Sequence, residues 1–168
     1  MAACLFACLP LVEAGDKTIM ESGHLELEEA VRGDVVALHE FFVGWYGGEL
    51  PASALETEFL ARLDPAFTII MPSGVELDHE TLSSAMQSAF GQKPGFRIEI
   101  RNVRLKYVTK NTILATYEEW QRNTREAAGE GTGRLSTVVM DRGVPLTWRH
   151  VHETWLPEEV VQAEPFDF

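Results

Sequence analysis

Only two cysteines occur in the 168 residues, Cys4 and Cys8, and both precede any patterned region. That spacing gives neither a disulfide framework nor a four-ligand zinc site, so no metal is expected. Bases are scarce: 14 Lys and Arg stand against 26 Asp and Glu, for a formal net charge of −12. Such a balance argues against a nucleic-acid partner held by its phosphates, and against an anionic membrane surface. No apolar run approaches the ~20 residues of a membrane-spanning helix. A Gly-x-Ser-x-Gly elbow is absent, and neither cysteine has a histidine placed to activate it. The glycine-rich stretch Gly129-Glu130-Gly131-Thr132-Gly133 joins two strand-like runs and opens no helix. It reads as a hairpin loop and not as a phosphate cradle, and no other segment suggests a cofactor.

What the chain has is a core. Hydrophobic residues make up 45%, enough for one packed domain, and no linker or repeat divides it. The acidity is uneven. Residues 13–64 carry 12 acids against three bases, while residues 65–156 carry ten against 11. The basic run Arg97, Arg101, Arg104, Lys106 and Lys110 reads as a solvated strand face. Residues 1–12 are apolar, but no Lys or Arg precedes Lys17 and Pro10 interrupts them, a poor secretory signal. Residues 1–22 are therefore expected to be a poorly ordered extension, with a signal peptide as the alternative, and the address is expected to be cytoplasmic. Residues 158–168 read as an acidic, poorly ordered tail.

Between these ends the apolar period changes twice. Leu27, Val31, Val35, Leu38, Phe42 and Trp45 step by four and three, which predicts an amphipathic helix ending at Gly47-Gly48, with a break possible at Gly33. Ser53 caps a second predicted helix through Leu55, Phe59 and Leu63, ended by Asp64-Pro65. A short hairpin follows over 67–77, and Asp78 caps a third helix carrying Leu82, Met86 and Phe90. Four strand-like runs come next, over 96–108, 112–122, 134–140 and 146–156, joined by short loops that imply antiparallel neighbours. In the first of them Ile98 and Ile100 are out of phase with Val103 and Leu105, so a bulge near Arg101-Asn102 is expected to bend the sheet. The reading is one α+β domain over 23–157, with three helices packed on a curved antiparallel sheet as a cone around an internal pocket.

Four segments carry a resemblance: Leu38-His39-Glu40-Phe41-Phe42, the run from Phe67 to Gly74, Ala115-Thr116-Tyr117-Glu118-Glu119-Trp120, and Trp148-Arg149-His150-Val151-His152-Glu153-Thr154-Trp155. In these segments and in element order the chain resembles the SnoaL-like branch of the nuclear transport factor 2-like superfamily, and a bacterial subgroup of it. That resemblance covers about residues 25–157 and implies the cone fold. It implies function only by class, since such domains include isomerases, cyclases, epoxide hydrolases and kinase association domains.

Strand alternation puts Glu118 and Trp120 on one face, and Arg149, Val151, Glu153 and Trp155 on one face of the last strand. By resemblance to the association domains, the second set points into the cone. Two carboxylates walled by tryptophans are desolvated, which raises a carboxyl pKa toward neutrality. Glu118 and Glu153 are therefore the candidate acid and base, with Tyr46, Trp120, Arg149 and Trp155 as ligand contacts. An ion-pair ladder of Glu153 with Arg122 or Arg149 is the structural alternative. With the faces inverted, Tyr117, His150 and His152 become the site instead. Tyr117, Trp148 and His150 on the outer face would form an aromatic patch, and a homodimer through it is expected. Two functions stay open: an isomerase-, cyclase- or hydrolase-like enzyme on a small apolar molecule, or a non-catalytic binding or association domain.

Overall fold

Val31, Val35, Leu38, Phe41 and Trp45 recur at helical spacing, and all are buried along one side of α1, Glu13–Gly47. The computed structural model describes residues 13–122, 131–163 and 166–168, with side chains from 23 onward. The expected apolar extension over residues 1–12 lies outside the described residues, as do Gly129 and Glu130. Helix α1 therefore begins within the stretch expected to be poorly ordered. Gly33 sits on its exposed face and does not break it. Gly48, at φ +75°, ends it, with its N–H donating to the Trp45 carbonyl and that of Glu49 to the Gly44 carbonyl.

The second predicted helix is replaced by a π turn, Leu55–Phe59, and a 3₁₀ turn, Leu60–Arg62. Ser53 does not cap it; the chain turns just long enough to bury Leu55, Phe59 and Leu60. Strand β1, Leu63–Ile70, starts before Pro65, because the residue ahead of a proline disfavours helical dihedrals. Then come β2, Glu76–Asp78, and α2, His79–Ala89, whose Asp78 cap accepts from the Thr81 N–H at 2.8 Å. Strands β3, Arg97–Val108, β4, Thr112–Arg122, β5, Thr132–Asp141, and β6, Thr147–Trp155, follow as a meander.

The six strands lie in the order β2-β1-β6-β5-β4-β3. Neighbours are antiparallel except β1 and β6, which run parallel with Ile69 opposite Val151. The short-loop argument applies only to strands consecutive in sequence, so it could not reach this pair. The expected bulge is present: the β3–β4 register shifts between Arg101 and Arg104, and Asn102 adopts φ 53°. Val103 is thereby turned into the core. The α+β cone with an open, curved sheet is the architecture. Asp34 ties its layers together, accepting from the Trp148 indole and the Arg62 guanidinium, each at 2.6 Å. Within the stretch expected as a poorly ordered tail, α3, Glu158–Ala163, forms, and Phe166 lies against Trp120 with ring centroids 5.6 Å apart.

Candidate functional site

A cavity of about 170 Å³ lies between α1, α2 and the concave side of the sheet. Its character changes along the strands. One end is apolar, walled by Leu63, Phe67, Ile69, Trp148 and Val151, and Met86 adjoins the other, its sulfur accepting from the Tyr46 hydroxyl at 3.5 Å. The other carries His39 and Tyr46 from α1, Glu119 and Gln121 from β4, Arg134 from β5 and Glu153 from β6. Lys93 borders the cavity with its ammonium 4.6 Å from the Tyr46 ring centre.

Strand parity explains which side chains arrive. On β4 the buried residues Ile113, Ala115 and Tyr117 face the core, so Glu119 and Gln121 follow them inside. On β6 a register shift between the partners Val139 and Met140 leaves Trp148, Val151 and Glu153 inward. Arg149 lies at that irregularity, exposed, and pairs with Asp64 at 2.8 Å and Asp141 at 2.6 Å.

The polar end is a connected network. The Val35 carbonyl has no proton to give, so Nδ1 of His39, 2.7 Å away, donates to it. Nε2 then faces the Glu119 carboxylate at 3.3 Å, and a hydrogen bond there requires a proton shared by the pair. Gln121 donates its amide to the other Glu119 oxygen. Arg134 donates to Glu153 at 3.0 Å and to the Gln121 amide oxygen at 3.4 Å, with its guanidinium 5.0 Å from the centre of the Trp155 ring. Its Nε is buried without a partner.

These neighbours split the two carboxylates. Burial works against ionised Glu119, but His39, Arg134 and the Gln121 hydrogen bond outweigh it and bring its pKa down to about 2. Burial, and then the Glu119 charge, push Glu153 up to about 7, against the pull of Arg134. Arg134 itself is raised: desolvation opposes its charge, and Glu119 and Glu153 more than offset that. Burial, then Glu119, raises the Tyr46 phenol to about 12 and also raises Tyr117. One carboxylate stays ionised while its neighbour holds a proton near neutrality, which is the arrangement that acid and base work needs.

The sequence-predicted residues divide. Glu153 and Tyr46 are at the cavity, and so is Tyr117 from the alternative set. Glu118 is not: it lies on the outer face, accepting from the Trp120 indole at 3.1 Å. Trp120 is buried there, against Phe166. Arg149 is exposed on the outer side, and Trp155 is 48% exposed beneath Arg134. His150 bonds Thr68 at 2.8 Å and His152 is exposed, both on the outer face and away from Tyr117. Trp148 and Tyr117 point inward, so the expected aromatic outer patch does not form from them. The reading missed His39, Glu119, Gln121 and Arg134. The parity of Ile113, Ala115 and Tyr117 was the available signal for Glu119 and Gln121. Among the described residues no group of His, Cys, Asp or Glu has metal-binding geometry.

Residues 31–157 match the family described as sucrose-6-phosphate phosphohydrolase C-terminal. Sucrose-phosphatase 1 of Nicotiana tabacum is 33% identical over 132 residues, which is 73% of this chain and 30% of that protein. The chain spans about a third of the length of the curated relatives it matches. A crystal structure of a nuclear transport factor 2-like protein of unknown function from Pseudomonas aeruginosa is 35% identical, with a TM-score of 0.70 over 76% of this chain and 99% of that one. The CaMKII hub of S. rosetta shares the fold at 14% identity, with a TM-score of 0.57 over 76% of this chain and 95% of that one.

Proposed function

Because the chain belongs to the sucrose-6-phosphate phosphohydrolase C-terminal family, with the nuclear transport factor 2-like cone, we propose that it is a small-molecule pocket domain. Its ligand enters the cavity against the network of His39, Glu119, Arg134 and Glu153. The observation that supports this most is that the network lines a cavity. A purely structural ion-pair cluster gains nothing from bordering open space, and burying its charges costs free energy that hydrophobic packing would avoid. Of the carboxylates expected to act as acid and base, Glu153 remains as the group that gives and retakes a proton, and Glu119 in place of Glu118 supplies a fixed negative charge beside it.

Size restricts the ligand. A cavity of about 150 Å³ holds one benzene ring, and this one is about 170 Å³. The ligand is then a single ring or a short chain, smaller than the two-ring sugar phosphate for which the plant relatives are named. The test is a thermal-shift and turnover screen with one-ring compounds on the native chain, Glu119→Gln and Glu153→Gln. Ligand-dependent stabilisation is expected to be lost in Glu119→Gln and, in Glu153→Gln, to lose its dependence on pH. Stabilisation unchanged in both variants would remove the network from the site.

A second reading, association through the outer sheet face, has its own support. Leu114 and Val139 lie opposite each other there, and the exposed Leu135 is on the same face two rows further along, by register and alternation. It is compatible with a pocket and is tested by oligomeric state.

A further inference from the structure

The network's charges set the class of ligand. His39 and Glu119 share one proton and are together neutral, by the bonding argument above. That leaves Lys93 at the border, its ammonium over the Tyr46 and Phe96 rings, and within the network Arg134 and Glu153, joined at 3.0 Å. With Glu153 ionised this pair is neutral too, and an anion entering beside it leaves two carboxylates competing for the one guanidinium. With Glu153 protonated, Arg134 is a largely buried cation left with only Glu119, already bonded to His39 and Gln121, as counter-charge. Each event alone is unfavourable, and together they cancel, because the entering anion replaces the Glu153 charge beside Arg134.

We propose that the cavity binds a small organic monoanion, a carboxylate on one apolar ring or short chain, and takes up one proton on Glu153 as it does so. This rests on the pocket reading above and extends it to the ligand's charge. The apolar end accepts the ring among Phe67, Ile69 and Val151. The polar end places the ligand carboxylate at Arg134 and Gln121. The groups facing Glu153 are Glu119 and Tyr117 from β4, Arg134 from β5, and His39 and Tyr46 from α1. The two phenols are held neutral well above pH 8 and carry no charge through the transition.

The experiment is calorimetric titration of the whole chain with benzoate, and with benzamide and benzyl alcohol as uncharged counterparts. Benzoate does not titrate above pH 6, so a pH dependence there belongs to the protein. Expected is uptake of about one proton per benzoate near pH 7.5, read from buffers of different ionisation enthalpy. Affinity should fall about tenfold per pH unit above pH 7. Glu153→Gln, which fixes the uncharged form, should bind benzoate with no such slope. Proton uptake in the unaltered chain stands as evidence even where that variant folds poorly. The proposal is overturned by benzamide binding as tightly as benzoate at pH 7, by zero proton uptake, or by a slope that persists in Glu153→Gln. Binding of the neutral compounds alone would retain the pocket and discard the anion. Absence of any melting shift with all three at about 10 mM would discard both.

Discussion

Glu153 and Glu119 are carboxylates of the same strand layer with opposite proton affinities, and the difference makes stability depend on pH with two signs. Glu153 holds its proton up to about pH 7 in the folded chain, against an ordinary value of 4.5. Its contribution is fully present below pH 4.5, where both states are protonated, and is lost as pH rises through 7. At roughly 1.4 kcal/mol per pH unit, the loss is of order 3 kcal/mol. Glu119 runs the other way: its stabilisation is present above 4.5 and disappears as pH falls toward 2. Urea unfolding at pH 5 and pH 8 should therefore show the native chain weaker at pH 8. Glu153→Gln should flatten that difference, and a Gln variant as pH-sensitive as its parent would contradict the assignment. His39→Ala should be worse than an ordinary buried truncation, because it strands the Glu119 charge. Loss of a partner of a buried ion costs about 3–5 kcal/mol. Thermal melts would read it directly, and His39→Gln, which keeps a donor, should recover part of the loss.

At the scale of elements, the site depends on how α1 ends. Gly48 (φ +75°) and Gly91 (φ +66°) approach so closely that a β-carbon on Gly48 would lie 3.2 Å from the Gly91 Cα. The same junction is held by Gly91 N–H to the Trp45 carbonyl and Lys93 N–H to the Tyr46 carbonyl, at 3.0 and 2.9 Å. It fixes the loop that brings Lys93 to the cavity. Gly48→Ala is expected to cost about 1–2 kcal/mol, from positive-φ strain and backbone crowding. It should also weaken binding of any pocket ligand more than a surface substitution of equal stability cost does. Equal melting temperature and equal binding would show that the junction is slack. Periodicity made α1, α2 and the β3 bulge legible, because each is written in side chains a few residues apart. The π and 3₁₀ turns were not, since five apolar-spaced residues look the same in a turn as in a longer helix. The site itself was half legible. Glu153 emerged from alternation on β6 together with the resemblance to the association domains, which set that face inward, whereas Glu118 was chosen over Glu119 because Trp120 looked like an interior residue. Trp120 is buried, but by Phe166 on the opposite side of the sheet, a contact between residues 46 apart that local pattern does not encode.

For the whole molecule, the question is what covers the convex face of the sheet. The six strands hold from three to twelve residues each, and at about 3.3 Å per residue and about 4.8 Å between strands they give the sheet a footprint of roughly 800 Å². A stable protein interface buries about 800 Å² on each partner, and this face supplies most of that, less the Trp120 end that Phe166 of the same chain already covers. Its centre is suited to that role. Leu114 pairs with Val139, Val139 with His150, and threonines 116 and 137 sit in the next outward row, with few charges among them. With Tyr117 and Trp148 turned inward, the apolar content of this face comes from aliphatic residues, and the predicted interface is aliphatic in place of aromatic. Sedimentation equilibrium at tens of micromolar, about the range in which a modest interface is populated, should report a dimer. Leu114→Glu with Val139→Glu places like charges directly opposite each other at the centre and should yield a monomer with unchanged far-ultraviolet dichroism. Because both residues point away from the cavity, the monomer should bind pocket probes as the dimer does. A native chain that sediments as a monomer would leave the convex face without this partner, while a dimer untouched by the double substitution would place the contact on another surface.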